Sequence, residues 1–160
     1  LAEIPQRVVS TIHDPISSLD LLPTFANLAG IQLPKHRAFD GTDISALLKG
    51  DQLNRKQPLF WCFFNALNKQ QVAMRTTEWK VIATLDNGKL EPQQNLHDGN
   101  ISQIRDARLT DVEFYRIQED LGETKNLAKS NPTKAAELEQ QLKLLYEELT
   151  ASSHYWIRQQ

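Results

Sequence analysis

From Asn131 onward a single apolar stripe dictates what the rest of the chain must supply. Asn131 is a good N-cap, Pro132 suits a first helical position, and Ala135, Leu138, Leu142, Leu145 and Leu149 recur at helical spacing. A helix with one apolar face needs a flat apolar partner. Upstream, Leu59–Phe64 (LFWCFF) is an apolar, aromatic run of strand length, followed by Val72–Arg75, Trp79–Leu85 and Glu113–Ile117 with turn-like breaks between them. The class predicted is α+β: a small antiparallel sheet of about four strands packed against a C-terminal helix.

Before the sheet, Val8–Ile12 reads as a short β-rich segment stopped at His13-Asp14-Pro15. A helix is expected next, with Ser17, Ser18 and Asp20 as capping choices, Pro23 in its first turn and Gly30 at its end. Leu19, Leu22, Ala26 and Ala29 share one face of it, and that face needs cover. From Ile31 to Pro58 the chain is irregular, with a short helix predicted over Asp43–Lys49, capped by Thr42 or Asp43. Asp86–Asn100 is a polar loop, after which Ile101, Ile104 and Leu109 predict another short helix. At the turn Glu119-Asp120-Leu121-Gly122, glycine is expected to supply a positive φ.

Bulk properties exclude several function classes. A net charge of −2 gives no basic field for nucleic acid. No apolar run approaches the roughly 20 residues of a membrane span. One cysteine, Cys62, excludes an internal disulfide and a cysteine-based zinc site. The chain opens on Leu1 and its single methionine is Met74, so an upstream portion is expected.

Three stretches, in order, resemble the C-terminal third of type I sulfatases, in the alkaline phosphatase superfamily. Ser17–Gly30 (SSLDLLPTFANLAG) is similar to a "D-x-x-P-T" helix, followed by Phe39-Asp40-Gly41 as an "x-D-G" linker. Leu59–Ile82, with LFW and then VAMRTTEWKVI, is similar to an "L-F-W … A-x-R-x-G-x-W-K" hairpin. Glu113–Ala128 (EFYRIQEDLGETKNLA) resembles "E-L-Y-D-L-x-x-D-P-G-E-x-x-N-L-A". Leu121 stands in place of a usual proline, and Thr76-Thr77 in place of a glycine-containing turn.

The resemblance implies a parent that hydrolyses sulfate esters of carbohydrates or aryl alcohols with calcium and a formylglycine, in a periplasmic or secreted setting. It also implies that residues 1–55 are the edge of the parent's α/β catalytic domain with a linker, and that residues 56–160 are its C-terminal subdomain. The formylglycine motif "C/S-x-P-x-R" is absent, since Cys62 is followed by Phe63, Phe64 and Asn65. No segment matches the "G-K-x-x-x-x-E-G" stretch of the family. The fragment is therefore expected to be inactive and to hold no cofactor of its own. Its expected partners are the missing N-terminal catalytic domain or a second copy covering the apolar helix face. Two alternatives stay open: the tail of a phosphonate monoester hydrolase or phosphodiesterase of the same superfamily, and a stand-alone binding module built on the aromatic strand.

Among candidate site residues, Asn65, Asn68 and His97 sit on strand ends and loops, where binding groups concentrate. By analogy with the family they are rim contacts for a sulfated substrate, against the plainer reading of exposed loop residues. Cys62, between Trp61 and Phe63, reads as a buried structural thiol rather than a nucleophile. His13, His36, His97 and His154 lack metal-ligand spacing. Glu119, Asp120 and Glu123 lack the alternate spacing of a calcium loop and read as a solvated turn, with Asp120 bonding backbone amides and Glu123 opening a helical turn. Arg75 is expected to pair with an acid on a neighbouring strand, with Trp79 directed into the core and Lys80 outward. Asn100-Ile101-Ser102 fits a glycosylation sequon.

Overall fold

A computed structural model describes residues 11–66, 69–86, 88 and 99–152. The chain forms two compact units, Leu1–Leu59 and Phe60–Gln160.

In the first unit, a 3-10 turn over Ser18–Asp20 leads into α1 (Leu21–Leu28), and α2 (Ser45–Leu48) follows an irregular stretch. Ser17 caps the start: its side chain accepts from the Leu19 amide while Asp20 reaches back to the Ser17 amide. Gly30 ends α1 at φ +68, with the Ile31 amide returning to the Ala26 carbonyl. The helix buries Asp20, Thr24 and Ala26. Of the stripe that lacks its cover, Leu19, Leu22 and Ala29 are exposed as an uncovered apolar face requires, joined by Leu21, Phe25 and Leu28, while Ala26 turns inward. The inward positions are short, and at Asp20 and Thr24 hydrogen bonds rather than aliphatic packing fix this segment to its neighbours.

The second unit is a four-stranded antiparallel sheet in the order β1 (Leu59–Ala66), β2 (Lys69–Arg75), β3 (Trp79–Asp86), β4 (Arg108–Arg116). Its β2–β3 register pairs Val72 with Ala83 and Met74 with Val81, putting these four on one face. With Leu85 and Phe114 they meet Leu138, Leu142 and Tyr146 of α4 (Pro132–Ser152) in a single core. The expected helix-on-sheet arrangement is what forms. Leu145 packs at the margin of that core and Leu149 is exposed, so the buried stripe is shifted onto Tyr146. The Tyr146 hydroxyl donates to the Ile104 carbonyl, anchoring α4 to α3 (Ile101–Arg105).

Two local expectations change. Leu109 belongs to β4 rather than to the helix over Ile101, because β4 starts at Arg108 and is longer than its apolar core suggested. A β-bulge interrupts its pairing with β3 between Ile82 and Thr84, and Asp111 takes φ +48 there. The second change lies at the turn after β4: the left-handed residue is Glu123, at φ +54, and not Gly122. Glu123 therefore opens no helical turn; its carboxylate instead takes the Lys80 ammonium at 2.5 Å.

Candidate functional site

Each of the three sequence stretches resolves into a hydrogen-bonded device. In the first, Asp20 is fully buried and accepts from the amides of Ser17 (2.7 Å) and Thr42 (2.8 Å). Its carboxylate also takes both terminal nitrogens of Arg55, at 3.0 and 2.6 Å. Burial alone would push this carboxyl's pKa up; the hydrogen bonds from Arg55, Thr42 and Ser17 and the guanidinium charge outweigh it and hold the pKa below its ordinary 3.8. Thr24 donates to the Asp20 carbonyl (2.6 Å) and accepts from the Ile44 amide (3.0 Å). Gly41 is required by contact: a Cβ there would lie 1.9 Å from the Leu19 carbonyl oxygen.

In the second, Thr76 closes the β2–β3 turn. Its amide donates to the Trp79 carbonyl and its hydroxyl accepts from the Trp79 amide, each at 2.9 Å. A threonine thereby does the work of the glycine-containing turn. Trp79 meets Phe114 edge-on, with centroids 5.6 Å apart. In the third, Asp120 accepts from the Thr124 and Lys125 amides (3.0 and 2.8 Å) and the Thr124 hydroxyl, bonds that hold its pKa down. Asn126 accepts from the Ala128 amide (2.9 Å) and, at 3.4 Å, from the Phe114 amide, while the Leu127 amide donates to the Phe114 carbonyl. This tail lies along β4. Asp120 and Asn126 are thus structural.

Of the proposed rim residues, Asn65 stands near the end of β1, whereas Asn68 and His97 lie outside the described residues, as does His154. His13 and His36 are exposed, and no group of three potential ligands that could hold a metal occurs among the described residues. Cys62 is half-buried against the core, and burial pushes its thiol up to about 12, the reverse of an activated nucleophile. Asn100 is buried at the start of α3, which removes it as a glycan acceptor. No helix among the described residues is long and apolar enough to cross a membrane.

One concave surface of this unit lies on the sheet face opposite the core. Trp61 and Phe63 of β1, 41% and 62% exposed, border a hollow of about 360 Å³ floored by Ala73 and Ile82 and edged by Gln71, Arg75 and Lys80. Arg75 stands opposite Lys80 in the register, so the expected acidic partner is not there. Its Nε is buried and has no acceptor among the described residues. Sequence reading singled out Arg75 but missed the hollow, and it missed Arg55 altogether. The signal for Arg55 was faint: a basic residue in an irregular stretch, 35 positions from its carboxylate.

A small antiparallel sheet with a C-terminal helix, preceded in the chain by an Asp20-centred helix, is similar to the C-terminal portion of sulfatases. No family model matches the chain. It is 40% identical over 62 residues to mouse steryl-sulfatase, covering 39% of this chain and 10% of that protein. With bovine arylsulfatase A it shares 51% identity over 49 residues, 31% of this chain and 10% of the relative. A sulfatase of Formosa agariphila matches at 27% over 134 residues, 81% of this chain and 22% of that one. Among solved structures, a protein in complex with its substrate D-glucosamine-2-N,6-O-disulfate superposes with a TM-score of 0.55 at 17% identity, covering 84% of this chain and 24% of the other. A putative sulfatase of Bacteroides fragilis gives 0.53 at 18%, with 82% and 24% covered. The chain thus spans about a tenth to a quarter of these relatives. Sulfatases use calcium and formylglycine, but the described residues fit neither: they hold no ligand cluster, and Cys62 lacks the modification motif.

Proposed function

We propose that this chain is the C-terminal subdomain of a sulfuric ester hydrolase and that its own role is to brace a catalytic body, and to rim its substrate, rather than to cleave. The observation that carries this reading is a match to a sulfatase that extends over 81% of this chain yet spans only 22% of that relative. Bracing assigns a use to α1. Its outward residues Leu21, Leu22, Phe25 and Leu28 form an apolar surface larger than isolated exposed leucines account for. The missing catalytic domain is the occupant this reading gives it, with calcium and formylglycine residing there. On this view the parent's substrates are sulfated carbohydrates or aryl sulfates, and Asn65, Asn68 and His97 border its pocket.

The test is an assay of the chain with 4-nitrophenyl sulfate and with sulfated disaccharides, with and without calcium. No turnover above buffer is expected. Calcium-dependent release of sulfate would refute the assignment.

A further inference from the structure

We propose that the hollow on the outer sheet face is a binding site for a saccharide bearing an anionic group, a sulfate or a uronate carboxylate. Trp61 and Phe63 project from alternate positions of β1 and stay exposed, the placement that offers flat rings to the C–H faces of a sugar. Beside them, Ala73 and Ile82, directly paired across β2 and β3, leave a low floor that admits a ring. The volume of about 360 Å³ falls in the range of small-ligand clefts, which combine an apolar lining with a few placed polar groups. Gln71, Arg75 and Lys80 are those groups here.

Arg75 supplies the charge preference. The Lys80 ammonium is already taken by Glu123, and the Tyr115 hydroxyl on the same face donates to Glu113 at 2.7 Å. Arg75 is left with no carboxylate among the described residues and a buried Nε without an acceptor. A half-buried, uncompensated guanidinium is costly, and a planar oxyanion that takes its fork of donors relieves that cost. The same features separate this hollow from α1's apolar surface. Lysine and glutamate are depleted from the cores of protein interfaces, and this face keeps Arg75, Lys80, Glu113 and Glu123 together, whereas α1 exposes the large apolar side chains of Leu21, Leu22, Phe25 and Leu28. A wet, mixed ligand suits the sheet face better than a permanently docked polypeptide does.

The site does not depend on the sulfatase reading and is tested separately from turnover. The whole chain, labelled with 15N, is titrated with a heparin-derived N,O-sulfated disaccharide, its desulfated counterpart, and a uronic acid disaccharide without sulfate, with affinities followed by calorimetry. Saturable binding of one or both charged sugars at about 0.1–1 mM is expected, with amide shifts confined to β1, β2 and β3. The sulfated and uronate arms show which oxyanion is preferred. The neutral sugar should bind at least about tenfold more weakly, Arg75→Gln should erase that difference, and Arg75→Lys should restore part of it. Trp61→Ala should weaken all three sugars alike. No saturation by about 10 mM in the unmodified chain overturns the proposal, as does an Arg75→Gln chain that keeps the unmodified chain's affinity for the charged sugars and its preference for them over the neutral one. A dimer whose β1 amides are shielded, and which excludes every sugar, overturns it in favour of a protein interface.

Discussion

Gly41 shows how a single residue of a sequence motif is dictated by approach rather than by dihedral freedom. Its φ is ordinary, yet its Cα lies against the Leu19 carbonyl, so a methyl group would have to displace backbone at the cap of α1. Gly41→Ala is expected to cost about 2–4 kcal/mol, read as a lowered midpoint in urea with little change in slope. The neighbouring Asp20–Arg55 pair is buried on both sides, with side-chain exposures of 0% and 9%. Arg55→Leu strands a buried carboxylate and should cost about 3–5 kcal/mol at neutral pH. The Asp20 pKa is lowered in the folded chain. Its contribution is therefore complete above the unfolded value of 3.8 and is lost as pH falls through the lower folded value. Denaturation midpoints of the unmodified chain should hold from pH 7 to about 5 and drop below about 4, and the Arg55→Leu penalty should shrink over the same acidic interval. A penalty independent of pH would detach the stabilisation from the carboxylate's charge.

At the scale of elements, turn chemistry is where sequence and structure part. β1 was legible as an apolar run of strand length, β2 and β3 by a burial period of two, and α4 by its apolar stripe and the proline at its first position. β4 was only half legible: the bulge at Asp111 breaks the period between Leu109 and Phe114, so its first half imitates the end of the preceding helix. α1 was legible on its outer side only, where the exposed leucine face is the one the pattern marks. Its leucines mark an apolar face, but the side that this chain covers is chosen by Asp20, Thr24 and Ala26, and hydrogen bonds leave no periodic trace. The turn after β4 follows the same logic. Gly122 invites the left-handed assignment, yet it is Glu123 that turns left-handed, just before the Thr124 and Lys125 amides that Asp120 receives. Gly122→Ala should then be nearly neutral, its new methyl reaching Thr124 Cγ2 at an ordinary-to-tight 3.4 Å. Glu123→Gly should gain about 1 kcal/mol from relieved backbone strain and lose roughly 0–1 kcal/mol with the partly exposed Lys80 pair, leaving a change within about 1 kcal/mol in thermal melts. A large loss in Gly122→Ala would place the positive φ at the glycine after all.

For the molecule as a whole, the decisive contrast is between what its two units leave uncovered. The sheet unit closes its apolar side with α4, and its open face is mixed in character. The N-terminal unit does the reverse: Asp20, Thr24 and Ala26 are sealed, while Leu22 at 54% and Phe25 at 61% exposure sit outward beside Leu21 and Leu28. Such an array is stable in water only when dilute, since covering it removes apolar area worth about 25 cal/mol per Å². The chain without a catalytic body should therefore self-associate with rising concentration, and light scattering should show the apparent mass climbing. Leu22→Glu with Phe25→Glu should abolish that rise while leaving the melt almost unchanged, because neither side chain contributes to a buried core. The sheet-face variant Phe63→Gln should not alter it. Association that survives the helix variant and yields to Phe63→Gln would move the sticky surface to β1, and with it the face through which the subdomain is braced.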